Sequence, residues 1–193
     1  MGMLRHLFQS RDVDRRVKYL IYLAAPINTL LWGSESWNLS RINRNKLAVF
    51  HHSAIRYILN IRWDQIREQR ISNREVRRRF KNILDIDFFI TKWTWTYIGK
   101  IARAPESSIP KKLIGAWIHG PRKQGQPQSS TKKHFLTTLK TVLPELSKEG
   151  KFKEWFKLAT DEEAWDDTFN AYLTKLKKYD DTDDETESSE PEI

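Results

Sequence analysis

The spacing of apolar side chains constrains this chain most. In segment after segment they recur in steps of three and four, the period of a helix buried on one side. From Asp14 to Leu31 the apolar positions are Val17, Leu20, Ile21, Leu23, Ala24, Ile27, Leu30 and Leu31. That spacing predicts a helix that Asp12 or Ser10 caps, Pro26 disturbs by removing a backbone donor, and Gly33 stops. A second helix is predicted from about Ser40 to Asn60. Its apolar face is Leu47, Phe50, Ala54, Ile58 and Ile61, and its polar face Arg44, Asn45, His52, Arg56 and Asn60. Ser72-Asn73-Arg74-Glu75 fits a capping box, in which Ser72 and Glu75 satisfy each other's orphan backbone donors. It opens a short helix with Val76 and Phe80 inward. Ile86 to Arg103 reads as a third long helix with two apolar stripes. One is Ile86, Phe89, Trp93, Tyr97 and Ile101; the other is Phe88 and Trp95, with Lys92 between them. A helix apolar on two sides is buried on both or docks something on one.

Pro105 and Pro110 end that helix. The short apolar segment 113–119 suits a strand or a helical turn equally. Gly120 to Thr131 has no apolar side chain apart from its prolines and reads as a polar loop. Phe135, Leu139, Val142 and Leu146 mark another helix, and Phe152, Trp155 and Phe156 a short one. Trp165, Phe169, Tyr172 and Leu176 mark the last, capped by Asp161. The expected fold is all-α: an irregular bundle of about six helices, a polar loop near 120–131 and a disordered acidic tail.

Composition narrows the function classes. The 193 residues suit one compact domain, or one with a small appendage, and 8 Trp and 9 Phe can build a core. Without cysteine there is no disulfide scaffold, thiol nucleophile or cysteine-ligated metal. No apolar run approaches the roughly 20 residues of a membrane span, so no membrane partner is expected. His6 breaks the myristoylation pattern after Gly2, and Asp12 and Asp14 come too early for a transit peptide. Charge is unevenly placed. Residues 180–193 hold eight acidic and no basic residues, leaving 34 basic and 17 acidic in 1–179, a net charge of +17. A body that basic calls for a polyanionic partner, most often nucleic acid.

Catalytic constellations fail on geometry. Gly33-Ser34-Glu35-Ser36-Trp37 lacks the second glycine of a nucleophile elbow and reads as a helix end. His51 and His52 are adjacent, so a helix splays them, one as a boundary residue and one solvated. Asp85 and Asp87 diverge at a helix start and read as caps. Asp161, Glu162, Glu163, Asp166 and Asp167 suit the positive end of a helix dipole. No catalytic and no metal-ligating residue is expected. The informative residues are basic: Arg62, Arg67, Arg70, Arg74, Arg77, Arg78, Arg79 and Lys81, with Lys111 and Lys112 further on. They suit phosphate contacts, and Trp95 or Phe88 would stack a base if exposed. Arg122-Lys123 opens the polar loop.

The segment Leu30-Leu31-Trp32-Gly33-Ser34-Glu35-Ser36-Trp37 is followed by Leu47-Ala48-Val49-Phe50-His51-His52 and by Ile55-Arg56-Tyr57-Ile58-Leu59-Asn60-Ile61. Together they resemble the region just after the polymerase palm in LINE-type (non-LTR) retrotransposon reverse transcriptases. Trp95-Thr96-Tyr97-Ile98-Gly99-Lys100-Ile101-Ala102-Arg103-Ala104-Pro105 resembles a later segment of that family, as do Pro110-Lys111-Lys112-Leu113 and Gly125-Gln126-Pro127. The resemblance covers about residues 3–178. It implies a thumb-like region at 1–104, a post-thumb region at 105–178 and an acidic tail at 179–193. The family's fingers, palm, metal-holding aspartates and endonuclease would lie before Met1. The chain would then grip a template–primer of RNA, DNA or RNA–DNA hybrid, intracellularly, in nucleus or cytoplasm. It would be inactive alone and without a cofactor of its own; the full-length enzymes would use Mg in the palm. Gln126 and Gln128 stand where the family often has arginine, which removes charge from the loop. The rival readings are a host-adopted basic nucleic-acid-binding module, a protein-interaction domain with Trp-rich faces, and a relic without function.

Overall fold

The structure, a computed structural model, describes residues 2–112, 131–147 and 152–187. The segment 113–119, the loop residues 120–130 and the tail end 188–193 lie outside them. The described residues are all-α, with no strand. They form ten α-helices rather than six: α1 (Arg5–Gln9), α2 (Arg15–Tyr22), α3 (Asn28–Leu30), α4 (Arg41–Ile58), α5 (Trp63–Glu68), α6 (Asn73–Arg79), α7 (Ile86–Arg103), α8 (Thr131–Val142), α9 (Phe152–Thr160) and α10 (Glu162–Glu187). The excess comes from short helices with too few turns to show a period, α1 and α5, and from the break between α2 and α3.

That break is at Pro26, which has no N–H to return to the Tyr22 carbonyl. The chain absorbs the loss as a π-turn over Leu23–Ile27. Asp14 caps α2, accepting from the Arg16 N–H at 3.0 Å, rather than Asp12 or Ser10. Ser40 caps α4 and Ser72 caps α6 through the Asn43 and Glu75 N–H groups. Asp161 caps α10, accepting from Glu163 and Ala164. Gly33 stops α3 with a left-handed φ of 73°.

Residues near 60, 70 and 82 share one stop signal. Asn60, Arg70, Lys81 and Asn82 all take positive φ. After α4 the Ile61 N–H returns to the Arg56 carbonyl and Asn60 to Tyr57; after α5 the Ile71 N–H returns to Ile66. The Ile61 and Ile71 bonds are the six-to-one closures of a Schellman stop and the Asn60 bond its five-to-two partner, so that the next apolar residue folds back onto the helix. Ile71 and Ile83, each just after a left-handed residue, are both buried.

The chain packs as two compact units, Met1–Trp93 and Thr94–Ile193, divided within α7. The first unit's core gathers Phe8, Tyr22, Ile27, Leu31, Ile55, Val76, Phe80, Ile83, Ile86 and Ile90. In the second, Trp95, Ile98, Ile101, Phe135, Leu139, Trp155, Trp165 and Phe169 are buried. The buried face of α7 differs from the two expected stripes: its first half buries Ile86 and Ile90 and its second Trp95, Ile98, Ile101 and Ala102, while Phe88, Phe89, Trp93 and Tyr97 are half-buried. The tail does not break off after Tyr179, because α10 stays helical to Glu187. Extending an existing helix adds one backbone hydrogen bond per residue without a new nucleus.

Candidate nucleic-acid interface

The core face of α4 differs from the expected one, and the difference is instructive. Buried positions are His51, Ala54, Ile55 and Ile58, while Phe50 is 40% exposed. Burial of His51 succeeds because both ring nitrogens have partners. Nε2 lies 3.1 Å from the Leu84 carbonyl, which can only accept, so Nε2 carries the proton. Nδ1 then accepts from the Tyr22 hydroxyl at 2.9 Å. Burial, with the charge of His52, lowers the His51 pKa to about 4, so the ring is neutral at pH 7. Burial likewise raises the Tyr22 pKa. Neither histidine is solvated, since the His52 side chain is only 12% exposed.

His52 leads to the first of the expected phosphate contacts. Its Nε2 sits 3.3 Å from Asp85 Oδ1 without the alignment of a hydrogen bond. The other oxygen of Asp85 pairs with Arg77 Nη1 at 2.6 Å. Partial burial raises the Asp85 pKa, but the His52 ring and the Arg77 charge outweigh it and hold the carboxyl below its usual value. Asp87 pairs with Arg44 at 2.9 Å. Asp85 and Asp87 thus bind cationic side chains at the start of α7.

The other basic residues fall into three groups. Arg78 and Arg79 both reach Glu75, at 2.6 Å each, and lower its pKa. Glu75 thereby serves two arginines one turn on as well as lending its N–H to Ser72. Arg62 pairs with Asp64 at 3.4 Å, while Lys111 is held by the Ala104 carbonyl and Glu106 and lies over the Phe156 ring. Arg74 is half-buried. Arg67, Arg70, Lys81 and Lys112 are exposed, and their side chains form no ion pair or hydrogen bond among the described residues. Arg67, Arg70 and Lys81 cluster in sequence around the ends of α5 and α6, where cations also complement the helix dipole.

The expected stacking residues are not available. Trp95 is buried against Trp165, with centroids 3.6 Å apart and planes 8° from parallel. Each indole N–H donates to the other residue's backbone carbonyl, at 3.3 and 3.2 Å. Phe88 is half-buried beside Phe89. Trp63 is 67% exposed instead, with the Arg56 guanidinium 5.4 Å from its ring centroid. The signal for it lies in Arg62-Trp63, an aromatic at the head of a helix too short to need it for a core.

Ser34 is buried, and its hydroxyl meets no hydrogen-bond partner among the described residues. Among the described residues no group of three or more His, Asp or Glu is placed to hold a metal ion, and no helix is long and apolar enough to cross a membrane. Comparison with protein-family models, with curated proteins and with solved structures gives no match to this chain.

Proposed function

We propose that the chain binds nucleic acid through its phosphate backbone, as the thumb and post-thumb portion of a LINE-type reverse transcriptase. It does so intracellularly and without catalysis of its own. The reading is carried by charge: residues 1–179 hold a net +17, and Arg67, Arg70 and Lys81 are exposed with no acidic partner among the described residues. Arg77 and Lys111, tied to carboxylates and little exposed, support the framework rather than the contact. The exposed ring of Trp63, with the Arg56 guanidinium over it, suits a stacked base.

Binding of short duplex and single-stranded oligonucleotides across a salt series tests it. Replacing Arg67, Arg70 and Lys81 by Gln lowers affinity alike for unrelated sequences. Each lost contact flattens the log–log salt slope by about 0.9 for duplex DNA. Trp63→Ala weakens single strands by about 1–3 kcal/mol and duplexes by less. Salt-insensitive binding, or none, turns the reading toward a protein-docking domain, which the 83% exposure of Trp32 favours.

A further inference from the structure

A second basic feature of the first unit draws its cations from outside the arginine-rich segment, although Phe80 of that segment lines it. Where α1 turns into α2, the chain closes a cleft of about 190 Å³ against the end of α4 and Phe80. Three cationic residues, Arg11, Arg15 and Lys18, are in its lining, and no acidic residue is. Phe8 and Phe80, both fully buried, fix its base within the core.

One of the charges is held in place, and none of the three meets a carboxylate among the described residues. Lys18 Nζ donates to the Ser10 carbonyl at 2.7 Å, which holds the half-buried ammonium at the cleft and leaves it further donors. Arg11 and Arg15 are exposed, and neither side chain forms an ion pair or hydrogen bond among the described residues. The nearest acids in sequence are Asp12, exposed and outside the lining, and Asp14, whose Oδ2 accepts from the Arg16 N–H. Converging like charges repel, and an anion seated among them relieves the repulsion. Two guanidinium forks beside an ammonium match the several acceptor oxygens of a phosphate. Gln9 and Asn60 add neutral amides to the lining.

We infer that this cleft is a phosphate-binding site, seating one phosphate group among Arg11, Arg15 and Lys18. It goes beyond the nucleic-acid reading, since a backbone phosphodiester and a free phosphate offer the same oxygens.

The test is a titration of the ¹⁵N-labelled full chain with inorganic phosphate at constant ionic strength, followed at the Ser10, Arg11 and Asn60 amides. Saturable shifts that chloride does not produce are expected. In an Arg11→Gln/Arg15→Gln variant the phosphate Kd rises about tenfold or more, as loss of charge-assisted hydrogen bonds from two guanidinium groups requires. Shifts no larger than those with chloride overturn the inference without any variant, and so does an unchanged Kd in the folded double variant. A ten-nucleotide thymidine oligomer then separates the sources. Displacement of phosphate from the cleft assigns it a nucleic-acid backbone; saturation by phosphate alone assigns it a free phosphate. A chain that seats phosphate but binds no oligonucleotide refutes the nucleic-acid reading and leaves the cleft standing. One that binds oligonucleotides while the cleft ignores phosphate does the reverse.

Discussion

His51 shows how one residue couples the core to pH. Its neutral ring is donor to Leu84 and acceptor from Tyr22, so protonation removes an acceptor and places a charge in the core. The folded-state pKa of about 4 lies below the ordinary value of 6.5. Between those values the unfolded chain binds more protons than the folded one, so stability falls as pH drops from 6.5 to 4. A shift of that size corresponds to about 3 kcal/mol across the window. Urea midpoints at pH 7.5 and 4.5 measure it, and His51→Gln, already less stable at pH 7.5, loses less on acidification. Equal losses in both proteins assign the acid sensitivity elsewhere. Asp85 acts lower on the scale: its depressed pKa stabilises the fold above the ordinary carboxyl value and is lost as pH falls through the folded one. His51 was hidden in the sequence because periodicity ranks residues by apolarity, and Phe50 outranks it. Two hydrogen bonds from distant segments reverse that order.

At the scale of elements, α7 and α10 meet through Trp95 and Trp165, and Gly99 is the condition for that approach. A Cβ on Gly99 would lie 2.5 Å from Trp165 Nε1 and 2.8 Å from Cδ1. Trp165 is fully buried and stacked, so it has little room to yield. Alanine in a helix interior gains roughly 1 kcal/mol over glycine, but overpacking costs about 1–3 kcal/mol. Gly99→Ala is therefore expected to destabilise the chain by about 1 kcal/mol and to change the near-ultraviolet signal of the tryptophan pair. A variant more stable than wild type with that signal intact would show the ring has space. Long helices were legible in the sequence because α4 and α7 run for 18 residues each, enough turns to repeat a stripe. Caps at Ser72 and Asp161 were legible for a local reason, since a cap bonds within three residues. The five-residue α1 and six-residue α5 carry no such repeat. The pairing of Glu75 with Arg78 and Arg79 follows from i,i+3 and i,i+4 spacing. That of Arg77 with Asp85 needs the turn between α6 and α7. The cleft at Arg11, Arg15 and Lys18 was not legible, because it draws on Asn60 and Phe80 from remote segments.

For the whole molecule, the governing quantity is the separation of charge between a body at +17 and a tail carrying eight acidic residues. A flexible tail would fold back and compete for the basic face. Helical continuation to Glu187 changes the expectation, because a helix replaces the flexible tether over 180–187 with a fixed rise of about 1.5 Å per residue. The tail then acts through its long-range field rather than by occupying the face. Truncation after Lys178 raises the net charge from +9 to +17, so it should speed association with a short duplex at low salt. A tail that acts only through its field leaves the dissociation rate little changed. The gain should fade near physiological salt, where the screening length is about 8 Å. Stopped-flow association and dissociation of the full and truncated chains across a salt series separate the two cases. A truncation that slows dissociation, or whose gain persists at physiological salt, means that the tail lies on the nucleic-acid surface.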